Sequence, residues 1–125
     1  MVAATRPIRV LHCDDVTDFR ELVRFALEDD ARLEIVGGAK DQGELLEQLA
    51  ALHPDVVLLD LALPERDGLE LIPVLLAAAP AVHIVVFSGF EASRMRPLAL
   101  QLGAVAYVEK GTSLGELRET LVAAT

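Results

Sequence analysis

Hydrophobic positions along the chain fall into two alternating rhythms. Short continuous runs of Val, Ile and Leu read as buried strands, and the longer stretches between them, with apolar residues every three or four positions, read as amphipathic helices. Residues 8–13 form the first run. Behind it Phe19, Leu22, Val23, Ala26 and Leu27 recur at helical spacing, which predicts a first helix over residues 19–29 with Thr17 and Asp18 to cap and charge its start. Residues 33–39 read as the second strand, with Gly37 and Gly38 near its end. Asp41 with Glu44 three residues on has the form of a capping box, and Leu45, Leu46, Leu49 and Leu52 supply the buried stripe of a second helix that His53-Pro54 closes.

The third run, Val56-Val57-Leu58-Leu59-Asp60-Leu61-Ala62-Leu63-Pro64, carries one carboxylate and is stopped by a proline. Continuous apolar runs of this kind belong to strands buried on both faces, at the centre of a parallel sheet. The loop from Pro64 to Gly68 leads to a third helix over residues 69–79, where the interior Pro73 is expected to introduce a kink. Residues 82–87 predict the fourth strand, ending at Ser88-Gly89. A fourth helix lies between Phe90 and Leu102, but Pro97 divides it, so its regular part is expected to begin near Pro97. Residues 104–109 predict the fifth strand, and Ser113 with Glu116 opens a fifth helix running to the C-terminus.

Five strands alternating with five helices predict a doubly wound α/β sheet with helices on both faces, since right-handed crossovers place them there; two common strand orders fit. Residues 1–125 make one domain, and with 53% hydrophobic residues the chain can bury a proper core. In either order the C-terminal strand ends share one rim, where ligands of such sheets bind. That rim collects Asp14, Asp15, Asp60, Ser88 and Lys110.

Charge and composition narrow the function. A net charge of −9 repels phosphate backbones, and with few aromatics and scattered basic residues it argues against direct nucleic-acid binding. Cys13 is the only cysteine, so no intrachain disulfide forms; with no apolar run of signal or membrane-spanning length, a cytoplasmic location away from membranes is expected. His12 and Cys13 lie beside the acids but project to opposite faces of a strand, so they do not clasp one ion together.

Three carboxylates on one rim repel one another too strongly for a single lysine to offset. Mg²⁺ is the natural complement, because it binds through a few carboxylates, keeps waters and shares phosphate oxygens; the Ala62 backbone carbonyl offers another ligand. Asp14 has a second open role, capping the first helix and leaving the metal to Asp15 and Asp60. A cation, the Lys110 ammonium and the Ser88 hydroxyl aimed at one point suit a phosphoryl group, with Asp60 as the acceptor nucleophile.

Asp14-Asp15, Asp60 ahead of Ala62-Leu63-Pro64 and Asp67-Gly68, Ser88-Gly89, and Tyr107-Val108-Glu109-Lys110 together resemble the receiver domain of two-component response regulators, over essentially the whole chain. The resemblance implies a flavodoxin-like three-layer (βα)5 sandwich with strand order 2-1-3-4-5. It implies that Asp60 takes a phosphoryl group from a sensor histidine kinase, a phosphotransfer protein or a small acyl phosphate, that Asp14 and Asp15 hold Mg²⁺, and that Lys110 pairs with the phosphoryl group. Ser88 and Tyr107 are then the switch: Ser88 moves inward and Tyr107 rotates from solvent into the vacated space. This reshapes the face made by the fourth helix, fifth strand and fifth helix, which serves an effector or a homodimer. Gly111 stands where the family usually has proline, as in the subfamily with a C-terminal helix-turn-helix output. No such module follows Thr125, so the expectation is a stand-alone receiver or one cut from a longer regulator, including a DNA-binding one. Three rivals remain. A pseudo-receiver that is never phosphorylated conflicts with the intact acids, a phosphohydrolase lacks the second acid that Ala62 replaces, and a flavin carrier lacks a phosphate loop after the first strand.

Overall fold

The computed structural model describes residues 6–125. Strands β1 (Ile8–Cys13), β2 (Leu33–Ala39), β3 (Val56–Leu59), β4 (His83–Ser88) and β5 (Ala106–Glu109) alternate with helices α1 (Thr17–Glu28), α2 (Gln42–Leu52), α3 (Gly68–Ala78), α4 (Ala92–Gln101) and α5 (Leu114–Ala123). All pairings are parallel and the order is β2-β1-β3-β4-β5. The chain therefore forms the flavodoxin-like three-layer sandwich, with β3 at the centre.

Side-chain alternation along the strands divides the core into two layers. Leu11, Val57, Leu59, Ile84 and Val86 pack on one face with Leu45 and Leu49 of α2 and Leu71, Ile72 and Leu75 of α3. Val10, Val56, Leu58, Val85 and Val108 pack on the other with Val23 and Leu27 of α1 and Leu117 and Leu121 of α5. Every residue of β3 is fully buried, and each such Val or Leu contributes about 1.5–3 kcal/mol relative to exposure. This rigid central strand delivers Asp60 to the rim.

The caps of α2 and α5 form as the sequence predicts. The Asp41 carboxylate accepts the Glu44 N–H at 2.9 Å and the Ser113 hydroxyl accepts the Glu116 N–H at 3.1 Å, while Glu44 reaches back to the Lys40 N–H. His53 closes α2 in a left-handed conformation, φ 48°. Helix α1 departs from expectation. Thr17 and Asp18 lie inside it rather than capping it, although Asp18 charges its first turn as expected, and the turn before it is held by Asp14, whose Oδ1 accepts the Val16 N–H at 2.9 Å.

Helix α3 contains Pro73 in its interior, as the sequence predicts, whereas Pro97 departs from expectation: α4 begins at Ala92 and runs through Pro97 instead of starting there. In α4 the bond lost is the one to the Ser93 carbonyl, and Ser93 and Pro97 are both exposed, so water replaces it. Pro97→Ala should restore that bond and raise stability by about 1 kcal/mol in urea unfolding. A lower stability would show that the fixed proline φ outweighs the missing bond.

Candidate functional site

The site grows from the ends of β1, β3, β4 and β5. Asp14 follows β1 and is fully buried; Asp60 follows β3 and is 2% exposed; Asp15 is exposed. One carboxylate oxygen from each of Asp14, Asp15 and Asp60 lies within 4.8 Å of the others. Lys110, following β5, donates from Nζ to Asp14 Oδ2 at 2.7 Å and to Asp60 Oδ2 at 3.2 Å. Its backbone N–H donates to the Ser88 carbonyl at 2.7 Å, and Gly111 behind it takes φ 101°, a conformation that glycine permits. Asp14 thus places one oxygen on the turn before α1 and the other on Lys110.

The loop after β3 is fixed by backbone contacts. The Ala62 N–H donates to Asp60 Oδ1 at 3.2 Å, Ala62 bridges to Asp67, and the Gly68 N–H donates to the Leu61 carbonyl at 3.0 Å. Asp67 caps α3 by accepting the Leu69 N–H at 3.0 Å. Asp67-Gly68 therefore folds the segment carrying Asp60 and Ala62 back onto the start of α3.

Burial raises the Asp60 carboxyl above its ordinary pKa, a shift that the Ala62 N–H and the Lys110 ammonium only partly offset. Burial works to lower the pKa of Lys110, yet the hydrogen bond and charge of Asp14 and the charge of Asp60 outweigh it and raise the group. Three acids still face one ammonium. Hard oxygen donors from three carboxylates, clustered and undercompensated, fit a divalent cation such as Mg²⁺.

Ser88 is fully buried at the end of β4, and its hydroxyl accepts the Phe90 N–H at 3.2 Å. Tyr107 is not found at the solvent-facing starting pose the sequence reading assumed: its ring lies inside, 7% exposed, and its hydroxyl donates to the Phe90 carbonyl at 2.8 Å. Burial pushes its phenol above the usual range, with the Ser88 hydroxyl pulling the other way. Ser88 and Tyr107 are thereby joined through the backbone of one residue, Phe90.

His12 and Cys13 diverge as strand alternation requires. Cys13 packs in the α2–α3 layer, and burial, reinforced by Asp14 and Asp60, pushes its thiol to about 12. His12 faces Phe19 and Phe87 on the other side. Burial lowers its pKa from 6.5 to about 4; Lys110 and Arg20 assist and Asp14 opposes. His12 is therefore neutral when folded at pH 6, whereas the unfolded chain takes up a proton below 6.5. Stability present above 6.5 is lost as pH falls toward 4, by about 3 kcal/mol if the whole shift is realised at ~1.4 kcal/mol per pH unit. His12→Leu should flatten the dependence of unfolding free energy on pH across this window in metal-free buffer. An unchanged slope would assign the acid sensitivity to the carboxylates.

Two residues at the site escaped the sequence reading. Arg20 of α1 donates to the Asp14 backbone carbonyl and holds the turn that carries both first-strand acids. Phe19, read only as one position of a helical stripe, lies with its ring centroid 4.5 Å from Lys110 Nζ. An arginine five residues after an acidic pair was the available signal for the first; nothing local signalled the second.

A parallel five-stranded sheet that gathers acids and a lysine at its C-terminal rim defines a class of phosphoryl-handling α/β domains. The chain belongs to the response regulator receiver domain family, whose profile matches residues 10–122. It is 43% identical over 113 residues to protein-glutamate methylesterase/protein-glutamine glutaminase 5 of Myxococcus xanthus, covering 90% of this chain and 32% of that protein. It is 38% identical over 119 residues to the corresponding enzyme of Moorella thermoacetica, covering 92% and 28%. The chain thus spans about a third of the length of these curated relatives. Among solved structures it resembles the response regulator domain of Thermotoga maritima CheB, with TM-score 0.86 and 28% identity over 95% of this chain and 96% of that one. A LuxR-family two-component response regulator from Aurantimonas sp. SI85-9A1 matches with TM-score 0.86 and 29% identity, over 94% of this chain and 86% of that one. Both methylesterase-type and LuxR-family regulators are therefore represented among its likenesses.

Proposed function

We propose that this receiver domain takes a phosphoryl group on Asp60 and uses it to reset the turn shared by Ser88 and Tyr107. The observation that carries the reading is the buried Asp60 carboxylate sharing one ammonium with Asp14, an acidic rim short of positive charge that an incoming cation and phosphoryl group would complete. Asp14, Asp15, Asp60 and the Ala62 carbonyl would hold Mg²⁺. When bound, Mg²⁺ supplies charge neutralisation to the phosphoryl oxygens of the donor.

The rest is done by the chain's own residues. An Asp60 oxygen attacks phosphorus, the bond from phosphorus to the leaving group breaks, and acetate or a kinase imidazole departs with the electron pair while the Asp60 acyl phosphate forms. Lys110 then exchanges its Asp60 contact for a phosphoryl oxygen, where its charge meets the added negative charge. Ser88 gains a new acceptor by turning toward that oxygen, which releases the Phe90 N–H. Because Tyr107 holds the Phe90 carbonyl, the released turn moves against α4 and β5. Only a shift in an existing equilibrium is needed. Ala62 and Phe90 offer no side chain able to position an attacking water, which favours slow loss of the group.

The domain on this reading is a signalling module that catalyses only its own phosphoryl uptake and loss. Its upstream partner is a histidine kinase or phosphotransfer protein in the cytoplasm. Its downstream partner is an effector protein or domain, or a second copy of the chain across the α4–β5–α5 face, near which Leu98, Val105 and Leu114 are exposed. Among the described residues no helix is long and apolar enough to cross a membrane. Incubation with acetyl phosphate and Mg²⁺ should add the mass of one phosphoryl group to the parent, and none to Asp60→Asn or to the parent in chelator. Equal labelling of parent and Asp60→Asn would move the acceptor elsewhere.

A further inference from the structure

The Lys110 ammonium carries three N–H groups and gives two of them to Asp14 and Asp60. Its third neighbour is an aromatic face. We propose that Phe19 is a positioning residue for Lys110, its ring seating the ammonium between the two acids so that it stands ready for the phosphoryl group. The inference rests on the reading of Asp60 as phosphoacceptor.

The geometry supports a seat rather than a chance approach. The ring centroid lies 4.5 Å from Nζ, inside the range of about 6 Å over which a cation is drawn to a ring face. Phe19 is itself held from beneath: Phe87 of β4 packs against it with centroids 5.6 Å apart, and His12 of β1 meets it edge-on at 6.1 Å. Phe87 and His12 are 3% and 2% exposed, so this support is fixed by the core. Lys110, by contrast, stands on a flexible four-carbon stem with a side chain 26% exposed, and its two hydrogen bonds to the acids leave the rest of the ammonium to be seated by another group. An aliphatic side chain at position 19 would fill much of the same space and lack the negative ring face.

The distinction sets the test. Phe19→Leu, Phe19→Tyr and Lys110→Met, with the Phe19→Leu/Lys110→Met double variant, are assayed in the 125-residue chain for the rate of phosphoryl uptake from acetyl phosphate at saturating Mg²⁺. Phe19→Leu should slow uptake about two- to fivefold, the span that the strength of an exposed to partly buried cation–ring contact implies. Phe19→Tyr should match the parent, and Phe19→Leu should add nothing once Lys110 is Met. Independently of any phosphoryl transfer, the Lys110 ε-methylene protons should be shifted upfield by the ring in NMR spectra of the parent and of Phe19→Tyr, and lie at ordinary positions in Phe19→Leu. Uptake by Phe19→Leu at the parental rate, or an equal loss with and without Lys110, would overturn the proposal. So would unshifted Lys110 protons in the parent. A parent that takes no label would instead end the phosphoacceptor reading, with the proton shifts still deciding the role of Phe19.

Discussion

Gly68→Ala is expected to cost about 2–4 kcal/mol of stability, and to lower phosphoryl uptake at temperatures where the variant remains folded. The first residue of α3 is pressed against the end of β3. A Cβ there would stand 2.5 Å from the Leu61 Cα, 2.8 Å from the Asp60 carbonyl oxygen and 2.9 Å from the Leu61 carbonyl oxygen. All three are backbone atoms, and none can swing aside as a side chain does. Relief requires α3 to retreat, which breaks the Gly68 N–H bond to Leu61 and shifts the backbone that aims Asp60. Urea unfolding measures the first effect and acetyl phosphate labelling the second. Stability within 0.5 kcal/mol of the parent, the usual range for surface changes, would show that this junction yields.

Lys110→Met should reduce both stability and function, and the loss of stability should be reversed by acid. Asp14 and Asp60 are buried and share this ammonium, so its removal leaves two carboxylates facing each other and Asp15. Breaking a fully buried pair costs about 3–5 kcal/mol. Lys110 is partly exposed, and solvent screening brings the expectation nearer to about 2 kcal/mol at neutral pH in metal-free buffer. The sign with pH is specific. Burial already raises the Asp60 pKa in the folded state, and loss of the ammonium raises it further. The folded variant then holds a proton that the unfolded chain releases, so stability is recovered as pH falls through that raised pKa toward the ordinary carboxylate value of 3.8. Added Mg²⁺ should restore stability by the same neutralisation, and phosphoryl uptake should fall about a hundredfold, as for loss of one preorganised charge donor at a reacting centre. A variant as stable as the parent at pH 7, with no response to Mg²⁺ or acid, would contradict the account of the rim.

The layers of the fold were legible because the strands are nearly pure aliphatic runs. Val56 to Leu59 has one reading, and β2 spans the residues that the pattern predicts. The rim was legible too, since Asp14, Asp60 and Ser88 stand at strand ends and Lys110 directly follows one. What local pattern could not supply was set by tertiary contact. Thr17 has the chemistry of a cap, but Asp14 reaches the turn first and is already fixed by Lys110. Pro97 disfavours a helix interior, yet it falls on an exposed face where the orphaned carbonyl is open to solvent. Tyr107 alternates as a strand residue should; its inward pose depends on the Phe90 carbonyl, seventeen positions away. Phe19 shows the limit most clearly, because helical spacing marks it as core without saying that a lysine ninety-one residues on rests upon it.

Locating the phosphoryl group on the chain decides whether Asp60 is the acceptor. The chain is incubated with acetyl phosphate and Mg²⁺, reduced with borohydride to convert an aspartyl phosphate to homoserine, digested and sequenced by mass spectrometry. The predicted result is reduction at Asp60 alone, abolished by chelator. Reduction at Asp14 or Asp15, or a chain that stays unmodified under conditions that label another receiver in the same tube, would contradict it.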